Sequence, residues 1–347
     1  MAKYNIFFGT YSKGPGNGLF RGEFDGDNGG ILIKDNIDIE NPAYLQVSES
    51  NKNILYGVSE TGGFNGEKGG ALFSVDISDP EKMRLIDIKC THGRLPCHLC
   101  VKDNFIFTAN YSEGSLSIFE IDDSGNIKPS CQSIHHFGKS VNSDRQEASH
   151  IHFATITPDN KYLAVCDLGM DKVFLYPYSK ESGLSTNAKI IDCPAGSGPR
   201  HLVFSTDCEY LYVLTEMGNT VLIYNYNRGG NIELLQELST LPSEFTGKST
   251  AAAIRISPDG NLLSASNRGH DSIAVFKFRE EMVFTCHIMT GKEPRDFNFA
   301  PDSKWVLSAN QNDDSVSVFK IENNKCSKVN NIALPNPVCI IFGEEIK

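Results

Sequence analysis

Apolar residues along this chain recur at every second position in short runs, among them SLSIFEI, KVFLYPY, TVLIYNY, SIAVFKF and SVSVFKI. That period turns one side of each run toward a core and marks strands rather than helices. No stretch of useful length carries the pattern of an amphipathic helix. A longer phrase encloses these runs. It begins with a proline or small residue, continues as an alternating strand and a polar turn, and ends in a second strand closed by Asn, Asp or Glu. It reads NPAYLQVSESNKNILYGVSE from Asn41, LPCHLCVKDNFIFTANY from Leu95 and HIHFATITPDNKYLAVCDLG from His150. It returns as GPRHLVFSTDCEYLYVLTE from Gly198, TAAAIRISPDGNLLSASNRG from Thr250 and EPRDFNFAPDSKWVLSANQ from Glu293, with a truncated copy, NPVCIIFG, from Asn336.

Equivalent starts fall at Pro42, Pro96, Ile151, Pro199, Ala251, Pro294 and Pro337, at intervals of 54, 55, 48, 52, 43 and 43 residues. Each interval has room for four short strands, the content of one propeller blade. The seventh copy stops after one strand. YNIFFGTY and GLFRGEF near the N-terminus supply its second and third strands, so the last blade is expected to close with strands from both ends. An open solenoid would need capping ends, and neither end reads as a cap. The prediction is a single all-β domain over residues 1–347, a seven-bladed β-propeller.

Composition narrows the partners. With 40% hydrophobic and 22% charged residues, 347 residues can bury a large core. The net charge is −11, and no basic cluster could neutralise a row of phosphates, so nucleic acid is not expected as a partner. MAKYNIFFGTYS lacks the form of a secretory signal, and no apolar run reaches the length of a membrane helix. Ten cysteines are scattered, mostly inside strand-like runs such as AVCDL and PVCII, which fits reduced thiols in a cytoplasmic protein. Cys97 and Cys100 form a C-x-x-C with no second pair, too little for a zinc site. The glycine-rich GPGNG (14–18) joins two strands and lacks the helix and lysine of a phosphate loop.

In a propeller the first strand of each blade lines the channel, so its opening and the end of the second strand meet at one mouth. That groups His98, His152, Arg200, His201 and Arg295 with Glu60, Asn110, Asp167, Glu216, Asn267, Arg268 and Asn310. The turns TPDNK, STDCE, SPDGN and APDSK fall at the far face as plain β-turns. Chemistry concentrates in repeats three to five, in RQEASHIH (145–152), GPRHL (198–202) and NRGHDS (267–272). A concave site with convergent ionisable groups is the default functional site. His135 and His136 read as solvated surface, and Asp271 as a tie within its turn.

RQEASHIHF, DLGMDKVFLYPY, GSGPRHLVF, NRGHDSIAVF and GKEPRDFNF resemble the bacterial propeller-type 6-phosphogluconolactonases, within the lactonase family that includes carboxy-cis,cis-muconate cyclases. The resemblance runs from FFGTYSKGPGNGLF to NPVCIIF. Ser149 and Ile151 stand where the family often has proline, and TAAAIRI lacks its usual acidic residue. The resemblance implies hydrolysis of 6-phosphoglucono-δ-lactone in the pentose phosphate pathway, without a cofactor, by His152, Arg200, Glu216 and Arg268. In that reading His152 or Glu216 activates water, while Arg200 and Arg268 hold phosphate and stabilise the oxyanion. His150, His201, Asn267, His270, Arg295 and Arg145 complete the substrate contacts. The alternatives are a cyclase or isomerase of muconate-like carboxylates and a non-catalytic interaction platform. Glu60, Asn110, Asp167 and Glu216 could offer oxygen ligands to a cation, but arginines beside them would repel it, so no metal is expected.

Overall fold

A computed structural model describes residues 2–11, 18–229, 232–278, 281–322 and 325–346. Residues 14–17 of the GPGNG stretch lie outside the described residues. Seven antiparallel sheets follow one another along the chain. Their inner strands are Pro42–Val47, Pro96–Lys102, Ile151–Ile156, Pro199–Phe204, Thr250–Ile256, Pro294–Phe299 and Pro337–Ile346. Neighbouring inner strands touch in ring order, and Pro337–Ile346 meets Pro42–Val47 to close the ring. These are blades one to seven. In blade seven the C-terminal strand pairs with Lys3–Thr10, followed outward by Leu19–Asp25 and Ile31–Ile37. The closure expected from the sequence is the one observed, and it leaves no open sheet edge at the ring seam.

The blades pack through seven apolar clusters, one at each interface. Alternation explains this: one set of each strand's residues packs against the preceding blade and the other against the following blade. Trp305 sits at the interface of blades six and seven among Phe24, Tyr4 and Ile340, and its indole donates to Gly26 O at 2.9 Å. Each fully buried Phe or Leu in such a cluster contributes about 1.5–3 kcal/mol. Gly9 allows the closest approach at the seam, since a Cβ there would stand 2.0 Å from Pro42 O. The helices among the described residues are single 3-10 turns, none able to cross a membrane. All ten cysteines are free thiols. The far-face turns are built as expected, with Ser257 Oγ donating to Asp259 and Ser205 Oγ to Asp207.

One irregularity recurs in all seven blades. The ladder between the first two strands skips a residue just after its opening pair. Pro199 pairs with Thr215 and His201 with Leu214, so Arg200 is left out. The bulged residues are Ala43, Cys97, His152, Arg200, the pair Ala252 and Ala253, Arg295 and Val338. A bulge bends its strand and re-aims the extra side chain. Here the recurrence places seven side-chain positions around one level of the channel.

Candidate active site

Of the bulged residues, Ala43, Cys97, Val338 and the two alanines are small and leave space. His152, Arg200 and Arg295 project into that space and line one cavity with His201 and Asp296. Above them, toward the mouth, come Tyr11, Glu60, Tyr111, Leu168, Glu216 and Gln311, each following its blade's opening pair, and Arg268, which pairs with Thr250 one rung beyond Asn267.

Glu216 is the centre of this layer. Arg145 Nη2 donates to its Oε1 at 2.6 Å, Arg200 Nε to its Oε2 at 2.9 Å, and Arg268 Nη2 lies 3.0 Å from Oε2. Burial alone would raise the carboxyl's pKa, but Arg268 and Arg200 overcome it and hold the group well below the usual carboxylate range. Arg200 also donates through Nη1 to Ala252 O at 2.5 Å and to His201 Nε2 at 3.2 Å. Burial, then the neighbouring Arg268, brings its pKa down to about 10. Arg268 donates to Ala251 O at 3.1 Å and keeps a buried Nε without a protein partner. Arg145 is 40% exposed, on the solvent side of the mouth, and reaches Tyr111 Oη at 3.3 Å.

A second unit faces this one. Tyr11 Oη donates to Glu60 Oε2 at 2.6 Å, and Arg295 lies 3.6 Å from the same oxygen and 5.1 Å from the Tyr11 ring centre. Burial lowers the arginine's pKa, but Tyr11 and Glu60 outweigh it and raise it overall. Among the described residues Arg295 makes no hydrogen bond. His152 lies between the units. Burial, then Arg200, pushes its pKa well below the ordinary histidine value, and its Nδ1 has no protein partner. The imidazole is therefore neutral near pH 7.

The candidates thus divide. His152, Arg200, Glu216, Arg268, His201, Arg295 and Arg145 come together. His150 stacks on Tyr111 at 4.5 Å and bonds Tyr111 O and Glu147, at the edge of the cluster. Asn267 is spent on Thr240 O at 2.8 Å, just after blade four's outer strand, and His270 on Ser272 Oγ at 2.6 Å beside Phe245. Asp271 does tie its turn, accepting from Gly269 N and Glu293 N. His136 is a correction. It is buried rather than solvated, with Nδ1 2.7 Å from Asp167 and Nε2 2.7 Å from Tyr176 Oη. Asp167 also accepts from Ser149 and His150 N, which anchors the segment carrying Arg145.

The strand-end group read from the sequence mixes two registers. Ser59, Asn110, Asp167, Thr215, Asn267 and Asn310 pair directly with the inner strand and turn into the blades. Glu60 and Glu216 come one residue later and turn into the channel, as does Arg268, although its backbone still pairs with Thr250. A shift of one residue changes the face a side chain takes. Tyr11 and Tyr111 share the later register and were not singled out from the sequence. Of the four oxygen ligands considered for a cation, Asn110 bonds Ser115 and Ser117, Asp167 bonds His136, and Glu216 is taken by arginines. Glu67, Cys90 and His92 place donor atoms within 4.8 Å of one another, but with no channel residue among them.

Below the cavity Tyr44, His98, Phe153 and His201 pack ring to ring, Tyr44 and Phe153 each 4.0 Å from His98. They separate the arginines from a larger cavity of about 750 Å³ at the turn end, lined by Lys52, Lys102, Pro158, Pro258 and Pro301.

A family model described as "Lactonase, 7-bladed beta-propeller" matches residues 5–342. The chain belongs to this family. It is 34% identical over 307 residues to the 6-phosphogluconolactonase of Bacillus subtilis, covering 86% of each chain. The Pseudomonas aeruginosa periplasmic gluconolactonase superposes with a TM-score of 0.91 at 30% identity, over 99% of each chain. A protein from Lactobacillus plantarum superposes with a TM-score of 0.90 at 31% identity, over 99% of this chain and all of that one.

Proposed function

We propose that this lactonase-family protein hydrolyses the δ-lactone of a phosphorylated aldonic acid, 6-phosphoglucono-δ-lactone, to 6-phosphogluconate. The observation that carries the reading is one buried carboxylate shared by three arginines beside a neutral histidine. Glu216 offsets one of the three positive charges, so the mouth keeps a net positive charge in a protein of net charge −11. Such a concave cationic site attracts a small anion. The Bacillus subtilis relative's name supports the choice of substrate.

Arg145 and Arg268, nearest the mouth, hold the phosphate through charge-assisted bonds. The lactone then points inward toward His152 and Arg295. A water attacks the carbonyl carbon while His152 takes its proton. The carbonyl oxygen becomes an oxyanion, stabilised by Arg295, which Tyr11 and Glu60 hold in place. Collapse breaks the bond to the ring oxygen, which takes the proton back from His152. The product acid then ionises to solvent. His152 is the better base of the two considered, because the arginines make Glu216 too weak a proton acceptor. Bound phosphate offsets the arginine charge and makes His152 more basic when substrate is present.

The test is release of 6-phosphogluconate from freshly made lactone, followed with a coupled dehydrogenase, with unphosphorylated glucono-δ-lactone in parallel. A rate well above spontaneous hydrolysis for the phosphorylated substrate is expected. No rate above background with either lactone would overturn the reading.

A further inference from the structure

We propose that the cavity between His152 and His201 seats the attacking water, and that His201 holds it by donating from Nδ1, a tautomer dictated by Arg200. The proposal rests on the lactonase reading above and adds His201 to the residues that touch the reacting atoms.

The cavity measures about 10 Å³, room for a single water. A buried water needs two to four polar partners, so the lining decides whether it can be held. Most of the lining's polar groups already have partners. Asp296 accepts from Arg255 and from Ile340 N. Arg200 is bound to Glu216 and Ala252 O. Cys97 Sγ donates to His152 O. Three groups remain: Nδ1 of His152 and Nδ1 of His201, both buried without a protein partner, and the guanidinium of Arg295.

Arginine chemistry fixes the direction of the bonds. A guanidinium only donates, so His201 Nε2, 3.2 Å from Arg200 Nη1, must accept. The hydrogen of the neutral ring then sits on Nδ1. Burial, then Arg200, keeps that ring neutral. His201 is therefore a donor, and we assign the acceptor role to His152 Nδ1, with that ring's hydrogen on Nε2. The two rings both line the cavity, their centres 5.4 Å apart and their planes at 63°, so a water seated there lies against both. The water accepts from His201, which orients a lone pair, and gives a proton to His152 as it attacks. Glu216, Arg200, His201, water and His152 then form one chain of hydrogen bonds, in which the buried carboxylate sets a tautomer two residues away.

Two substitutions and one crystal structure test this. Asparagine at 201 restores a donor near the Nδ1 position, whereas leucine removes it. His201→Leu is expected to lower kcat about 10²–10³-fold, with KM little changed. His201→Asn is expected to recover most of that loss. Ala43→Val, which fills the cavity from an apolar position, should lower kcat strongly while 6-phosphogluconate still binds in calorimetry. A high-resolution crystal structure of the unliganded wild-type protein should show a water bonded to both imidazoles. Wild-type kcat in His201→Leu or Ala43→Val, equal losses in Asn and Leu, or no water between the rings would each overturn the proposal. The crystallographic water is read without any lactone. If the wild type hydrolyses neither lactone, the function reading falls, and the water still decides whether the seat exists.

Discussion

At the turn end of the channel one buried arginine meets one buried aspartate, with Arg255 Nη2 donating to Asp296 Oδ1 at 2.7 Å. At the other end three arginines meet one glutamate. The turn end has the larger cavity, about 750 Å³, and Arg255, the arginine in its lining, is paired with Asp296. The arginine end has less space, a surplus of positive charge and several buried donors and acceptors without protein partners. The comparison teaches that the candidate site is marked by unspent buried polar groups rather than by volume. Both pairs are buried, so both should matter to stability; the arginine end alone should matter to turnover.

The sharpest way to break this contrast is to remove the shared carboxylate. Glu216→Ala leaves Arg200 buried without its partner, which should cost about 3–5 kcal/mol of stability and lower kcat/KM at least ~10³-fold. A calorimetric melt and the coupled assay would measure both, and near-normal activity would end the assignment. Arg200→Ala should lower kcat/KM by about 10²–10³-fold. At the opposite end Arg255→Met should lower the melting temperature while leaving kcat within a few-fold; a large kcat loss would mean the two ends are coupled through the aromatic layer. Arg145→Ala should raise KM about tenfold for the phosphorylated lactone and leave the unphosphorylated one unchanged, which separates phosphate binding from chemistry.

The smallest effect concerns pH. Burial depresses the pKa of His98, His152 and His201, with Arg255 and Arg200 adding to it and Glu216 opposing it at His152. Between those depressed values and about 6.5 the unfolded chain binds more protons than the folded one. Stability should therefore rise with pH through that window and fall on acidification, by at most about 1.4 kcal/mol per pH unit for each histidine. Glu216 has the same sign at lower pH: its depressed carboxyl stabilises above about 4.5 and loses that effect as pH falls further. Melting curves at pH 7, 6 and 5 would show the decline, and a flat profile would mean these rings are hydrated.

The repeat made the blades, their order and the closing blade legible, because alternation and turn chemistry are local properties. The layout of the candidate site was legible in part. His152, Arg200 and Arg295 stand at the same place in their repeats, one residue after the opening position. What local reading could not resolve was register at the second strand's end. Asn110 and Asn310 are each followed five and seven residues later by serines that take up their side chains, Ser115 and Ser117, Ser315 and Ser317. Glu60 and Glu216 have no such serines. That spacing would have marked the two asparagines as facing into their blades, though not Asp167, which has Lys172 and Phe174 at those places. His136 escaped for a different reason, since its partner Asp167 lies on another strand 31 residues on.

The repeated bulge has an evolutionary consequence. A residue that the ladder skips can be exchanged without disturbing a rung, so each sheet tolerates alanine, cysteine, histidine or arginine there while its strands stay paired. Seven such addresses around one axis let the side chains at that level of the channel change one at a time while the architecture stays put.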